Sequence, residues 1–288
     1  MTGVLLVDKP ADWTSHDVVA KLRAVTGERR IGHSGTLDPM ATGLLVVFLG
    51  RATRAVQFAE ADEKTYIAGL KLGVETDTQD VTGNVLSRSE DVPDRAALEA
   101  VLARFRGEIE QIPPMYSAVK KDGKKLYELA RKGVEVERKA RPVTISGLEL
   151  VSGGGDAYTL RVRCSKGTYI RTLCHDIGQS LGCGACMSAL RRVRAGAFSV
   201  EQAHPLSELV DAPDPAAFLL PVDGLFANRP ACTVGQETLR TVYNGGAVSM
   251  PELPDGEYRV YGPDGAFLML GRAENGALHT VKSFFEPR

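Results

Sequence analysis

From Thr65 onward the chain alternates. Tyr66, Ala68, Leu70 and Leu72 fall on one face, and Thr65, Ile67, Gly69 and Lys71 fall on the other. That period predicts a half-buried strand. Tyr158, Leu160, Val162 and Cys164 predict a second one. The unbroken apolar run Leu44 to Leu49 predicts a fully buried strand, and Gly3 to Val7 is a shorter apolar run that Asp8-Lys9-Pro10 breaks. Helical spacing appears in three places. Val18, Val19, Leu22 and Val25 follow a Thr14/Asp17 capping box and stop at Gly27. Ala97, Leu98, Val101, Leu102 and Phe105 mark an amphipathic helix over Asp94 to Arg106, with Gly107 after it. Ile170, Leu173, Cys174, Ile177 and Leu181 mark another, ended by Gly182.

Between these elements the chain is turn-rich. Thr76 to Gly83 is polar, Ile112 to Lys120 carries two prolines, and Leu126 to Lys132 reads as one short helix. Pro205 to Pro221 reads as helix and loop padding. After Asn228-Arg229-Pro230 strands shorten and glycine is frequent. Pro263-Asp264-Gly265 lies between Tyr258–Gly262 and Ala266–Gly271, a hairpin signal. Residues 229–288 therefore read as a small all-β module.

Charge matters through its distribution. The net charge is −1, but Lys120 to Arg141 holds nine Lys or Arg against four Asp or Glu. Arg191, Arg192 and Arg194 form a second cluster. Such local excess points to a directed anionic contact, with solvated helix faces as the alternative. The first residues lack a basic stretch and do not read as a signal peptide. Five cysteines, an odd count at uneven spacing, fit a reducing compartment, and a cytoplasmic location is expected. Cys183-Gly184-Ala185-Cys186, with Cys174 and His175 upstream, has metal-ligand residue types. One Cys-x-x-Cys is a weak signal, however, and Cys174 falls on the apolar helix face, so no metal is expected.

The strongest candidate for chemistry is the run His33-Ser34-Gly35-Thr36-Leu37-Asp38-Pro39-Met40-Ala41-Thr42-Gly43. Pro39 keeps Asp38 out of a helix, and the glycines allow close backbone approach. One carboxylate thus sits on a stiff loop that leads into a buried strand, as a nucleophile or general base requires. On residue types alone Asp38 could instead cap a turn, Tyr66 could be a core residue and His33 a surface one. The strand, turn and helix around Ser165-Lys166-Gly167 place Tyr169 and Arg171 at a helix mouth, and a guanidinium there could hold the Asp38 carboxylate.

The run from His33 to Leu49 closely resembles the catalytic segment of the bacterial tRNA pseudouridine synthase B family. Further matching blocks follow in order: Gly3 to Pro10, Lys64-Thr65-Tyr66, Thr76 to Asp80, Ile112 to Ala118, Gly123 to Glu128, Cys164 to Arg171 and Leu190-Arg191-Arg192. The resemblance implies an α+β fold with a mixed, mainly antiparallel central sheet flanked by helices. A catalytic domain over 1–228 would carry an RNA-binding insertion at about 113–142, and 229–288 would be a PUA-like RNA-binding domain. It implies isomerisation of uridine to pseudouridine at position 55 in the tRNA T-loop, with no cofactor and no metal. Asp38 would be the essential carboxylate and Arg171 its partner. Tyr66 would stack on the flipped uracil, with Tyr169 and Leu190 lining the pocket. His33 would fill the gap the uridine leaves. The implied partner is the T-stem-loop of tRNA, the protein acting as a monomer without membrane contact; a tRNA-folding role would accompany gripping and release of the RNA.

Two rival readings use the same residues. A non-catalytic RNA-binding protein has no need of Asp38 paired with Arg171 beside two tyrosines. A nucleoside or glycoside hydrolase would want two carboxylates, with Asp8, Asp77 and Asp80 as candidates.

Overall fold

A computed structural model describes residues 1–60, 63–121 and 123–285. Asp122, inside the basic stretch, and 286–288, at the end of the all-β module, lie outside the described residues. In chain order the first elements are β1 (Gly3–Lys9), α1 (Ser15–Thr26), β2 (Ile31–Ser34), β3 (Thr42–Leu49), α2 (Val56–Glu60), β4 (Lys64–Leu72), β5 (Val74–Thr76) and β6 (Val85–Arg88). Next come α3 (Arg95–Leu102), β7 (Gly107–Gln111), β8 (Lys120–Lys121), β9 (Lys124–Lys125), α4 (Leu126–Ala130), β10 (Arg141–Gly154), β11 (Ala157–Cys164), α5 (Ile170–Leu181) and β12 (Ala185–Ala195). The chain closes with β13 (Phe198–Ser199), β14 (His204–Pro205), α6 (Leu206–Asp211), β15 (Ala231–Thr233), α7 (Leu239–Tyr243), β16 (Val248–Ser249), β17 (Gly256–Tyr261), β18 (Phe267–Glu274) and β19 (Ala277–Ser283).

The large sheet runs β14-β1-β3-β12-β4-β11-β10-β7, with β2 paired to β3 and β13 to β12. Only β1–β14 and β3–β12 are parallel, so the sheet is mixed and mainly antiparallel, as expected. Gly3–Val7 of β1 and Leu44–Leu49 of β3 are unbroken apolar runs because both of their faces are covered. Leu5, Val7, Leu45 and Val47 join the core with α1, α3, α5 and α6. Val4, Leu6, Val46 and Phe48 point the other way, toward Phe226, Leu270 and Phe284. This second cluster docks a five-stranded sheet, β15-β17-β18-β19-β16, with its own core around Val242, Val260 and Met269. Each docking phenylalanine contributes about 1.5–3 kcal/mol by burial.

The helix ends follow their local chemistry. The Thr14 side chain accepts from the Asp17 N–H, the Asp17 carboxylate accepts from the Thr14 N–H at 2.9 Å, and Gly27 closes α1 in the left-handed conformation. Among the described residues no helix is long and apolar enough to cross a membrane.

Two elements differ from the sequence reading. His33, expected on a loop, lies in β2 opposite Val47. Residues 185–195, read for Leu190, Cys186 and an arginine cluster and not as a strand, form β12, which joins the two halves of the large sheet. Their register fixes what the arginines do.

Candidate active site

The Asp38 loop is held from below. Lys9 is fully buried at the end of β1, and its ammonium donates to the carbonyls of Trp13 (2.6 Å), Pro10 (2.8 Å) and Pro39 (3.2 Å). Burial pushes Lys9 down to about 8, an effect the Asp38 charge opposes. The Ser15 hydroxyl accepts from the Leu37 N–H at 2.9 Å, which ties the loop to the start of α1. At the exit of the loop Gly43 has φ +97°, and a Cβ there would meet the Arg192 carbonyl oxygen at 2.3 Å. Only glycine lets β3 run this close to β12.

Arg171 reaches this loop from the first turn of α5. Its Nε pairs with Asp38 Oδ2 at 2.9 Å, and its Nη2 donates to Oδ1 at 3.2 Å. The same guanidinium donates to the carbonyls of Tyr116 (2.8 Å) and Thr78 (3.2 Å). Its Nε also faces Asp80 Oδ2 at 3.8 Å. Asp80 is buried, and its other oxygen accepts from the Thr82 N–H and the Thr78 hydroxyl, both at 2.9 Å. One side chain therefore joins three segments distant in sequence.

Enclosure by protein raises the pKa of Asp38 above the ordinary carboxylate range. Arg171 pulls it back, and the nearby Asp80 charge pushes it up again. The result is a carboxylate with more affinity for a proton than a free aspartate has, oriented by two bonds.

Two phenols border it. Tyr66 on β4 stands opposite Arg192 of β12 in the ladder, and Leu190 stands opposite Ala68. Tyr66 and Leu190 are thus diagonal neighbours on one face, and Tyr66 packs on the cluster that contains Leu190. Tyr169 immediately precedes α5. Its N–H donates to Gln111 Oε1 (3.0 Å), and Gln111 Nε2 donates to its carbonyl (3.3 Å), so a buried glutamine on β7 clamps the peptide. Enclosure raises both phenols, and both feel the Asp38 charge.

His33 is half-buried, edge-on to the His16 ring at 5.8 Å, with Nδ1 unpartnered among the described residues. Burial lowers it to about 4, helped by His16 and Arg192, so at neutral pH it is a flat, uncharged ring.

The structure corrects the second basic cluster. Arg191 is committed to Asp8 through two bonds, at 2.7 and 3.0 Å. Arg192 is buried, and only Arg194 extends from the exposed side. An alternating strand sends neighbouring arginines to opposite faces, so the three cannot form one anion-binding patch. Sequence reasoning also missed Asp80 as a partner of Arg171, and Lys9, Gln111 and Arg192 as supports. All four lie in or beside the matching blocks, the one signal that marked them. Cys174, Cys183 and Cys186 are buried, and among the described residues no three His, Cys, Asp or Glu side chains converge as a metal-ligand set.

The mixed sheet thus carries a carboxylate–guanidinium pair bordered by two phenols. Residues 23–170 match the family model described as TruB family pseudouridylate synthase, N-terminal domain, and 171–227 match the tRNA pseudouridylate synthase B C-terminal domain. The tRNA pseudouridine synthase B of Azoarcus sp. (strain BH72) is 47% identical over 96% of this chain and 92% of its own length. That of Syntrophomonas wolfei is 45% identical over 98% and 96%. Among solved structures, an H/ACA RNP bound to a substrate RNA containing 2′-deoxyuridine has TM-score 0.74 at 26% identity, covering 99% of this chain and 86% of the other. A Cbf5-Nop10-Gar1 complex has TM-score 0.74 at 29% identity, covering 99% and 85%.

The chain belongs to the TruB family of tRNA pseudouridine synthases. Its reaction is the isomerisation of uridine to pseudouridine in tRNA.

Proposed function

We propose that the target is uridine 55 in the T-loop of tRNA and that Asp38 is the carboxylate that carries the reaction. The observation behind this reading is the Asp38–Arg171 pair at 2.9 Å, enclosed beside two phenols. A stacked uridine cannot reach such a site and has to be extruded. Tyr66 then stacks on the uracil, Tyr169 and Leu190 bound it, and the neutral His33 ring fills the vacated place. The N1–C1′ bond breaks, the uracil turns, the C5–C1′ bond forms, C5 gives up its proton and N1 gains one. No electrons enter or leave overall. Asp38 has two routes, attack on the sugar or base, or removal of a ribose proton, and both start from its ionised form. Arg171 favours that form and fixes its direction.

Residues 1–228 act as the catalytic domain, and the basic insertion at about 113–142 clasps the RNA. Residues 229–288 act as a PUA-like domain that extends the grip on the RNA. The protein works as a monomer in the cytoplasm.

The test is carbodiimide and mass-spectrometric mapping of pseudouridine in tRNA treated with the protein. Pseudouridine is expected at position 55. With Asp38→Asn, binding persists and the product disappears. A normal yield from that variant overturns the site assignment, and free uracil in the reaction points to a hydrolase instead.

A further inference from the structure

Arg192 is 1% exposed, and it heads the fully buried side chains by volume. Its Nε donates to the Leu44 carbonyl at 2.7 Å and its Nη2 to the Gly35 carbonyl at 3.0 Å. Among the described residues it has no ion-pair partner. Taking a guanidinium out of water costs several kcal/mol, and an apolar side chain of similar volume would avoid that cost. Packing alone therefore does not account for an arginine here.

What surrounds the guanidinium does. β12 and β4 are antiparallel, and Arg192 stands directly opposite Tyr66. Opposed residues present their side chains on one face, with Cβ atoms about 4.5–5.5 Å apart. The guanidinium charge reaches the Tyr66 phenol and opposes the rise that enclosure imposes on it. The same charge reaches His33. On the other side the chain approaches closely: a Cβ at Gly35 would lie 3.2 Å from Nη1, and Gly35 has φ +79°. Gly35 is three residues before Asp38. One planar cation thus spans the strand that carries Tyr66, the loop that carries Asp38 and the first residues of β3.

We propose that Arg192 is a positioning residue of the isomerisation: its guanidinium fixes the Tyr66 ring and the Asp38 loop as one unit, so that carboxylate and aromatic face meet the extruded nucleoside in constant register. This rests on the reading that Asp38 and Tyr66 act on that nucleoside. Lysine cannot substitute, because a single ammonium does not present the flat fork that bonds the Leu44 and Gly35 carbonyls from beside Tyr66.

The test compares Arg192→Lys in the full-length protein and in a Tyr66→Phe background, with kcat, KM and melting temperature measured on tRNA substrate. In the otherwise native protein the lysine lowers kcat by about tenfold to a hundredfold, the scale of a 1 Å misplacement, and KM changes less than about threefold. With the phenol already absent, the same substitution costs kcat less than about threefold. Equal losses in both backgrounds would show a structural role only, and an unimpaired kcat in the first would also overturn the proposal. Should Arg192→Lys fail to fold, Tyr66→Phe alone decides: it removes the polar group beside a buried cation that has no ion-pair partner among the described residues, and it lowers the melting temperature. An unchanged melting temperature there contradicts the proposal. Asp38→Asn is measured in parallel. If it stays active the parent reading fails, whereas an inactive Asp38→Asn beside a fully active Arg192→Lys sinks this proposal alone.

Discussion

Arg171 with Asp38 and Arg191 with Asp8 are similar pairs by bond length, at 2.9 Å and 2.7 Å. Their surroundings differ. The Arg171 side chain is 6% exposed and Asp38 33%, whereas Arg191 is 42% and Asp8 28% exposed. Arg171 spends its remaining donors on two backbone carbonyls and faces a second carboxylate. Arg191 has, besides Asp8, one long bond to the Thr42 hydroxyl at 3.4 Å. Two charges 4 Å apart attract by about 1 kcal/mol in water and about 4 kcal/mol at an effective dielectric of 20. Proximity is therefore cheap on the surface and consequential where water is displaced. On the reading proposed above, the chemistry belongs to the pair whose cation is sealed in and shared among three segments.

The largest expected effect follows directly. Asp38→Asn keeps the shape of the loop and removes the charge, and pseudouridine formation falls by roughly 10²–10⁴-fold or more, the scale of losing an acid–base group. A single-turnover assay on tRNA checks it, and a loss under about threefold would remove the distinction between the two pairs.

Next in size is a pH effect with opposite signs at two neighbours. On the proposed reading Asp38 acts in its ionised form, so kcat/KM falls as pH drops through the Asp38 pKa, which enclosure places above the ordinary carboxylate range. Asp80 is a like charge that raises this pKa, so Asp80→Asn moves the acid limb to lower pH. Arg171 is the opposite charge, so Arg171→Gln moves it to higher pH. Shifts in one common direction, or none, would show that these charges do not govern Asp38.

The Asp38 loop was legible because its signal is local: two glycines, a proline and an apolar run after them. α1, α3 and α5 were legible from period and caps. β12 was not, because its outward position carries Arg191 and its inward one Arg192, so the polar and apolar faces do not separate. Arg171 and Asp80 lie 91 positions apart in the chain, and the turn at 76–80 is brought to α5 by bonds to β12, among them Met187 N–H to the Gln79 carbonyl at 3.0 Å. His33 looked like a loop residue because it opens a run broken by Gly35, Pro39 and Gly43, yet pairing with β3 extends it. The hairpin at Pro263-Asp264-Gly265 was readable, while its docking was not. Phe226, Phe267 and Phe284 are far apart along the chain and converge only in space.

A smaller effect separates binding from chemistry. Lys120, Lys124 and Lys132 are exposed in the basic insertion. Replacing all three by glutamine raises KM for tRNA and leaves kcat within about twofold. The slope of log affinity against log salt flattens by about 1 for each of these lysines that pairs with a phosphate in the native protein. A lowered kcat with an unchanged salt slope would place the insertion in the chemistry instead of the grip.

The smallest expected effect completes the comparison. Asp8→Asn leaves Arg191 with its charge but without its carboxylate, at a position where water reaches the guanidinium and takes over the missing bonds. Exposed pairs of this kind contribute about 0–1 kcal/mol, so the melting temperature falls by at most a few degrees. The difference shrinks further in 1 M salt, where screening reduces charge interactions to about 3 Å. Pseudouridine formation is unchanged, because Arg191 faces away from Tyr66 and Leu190. Thermal melts at low and high salt beside a turnover assay check all three outcomes. If Asp8→Asn slowed turnover more than about threefold, the exposed pair would be coupled to the pocket through its neighbours Lys9 and Thr42, and burial of the cation would no longer separate the two pairs.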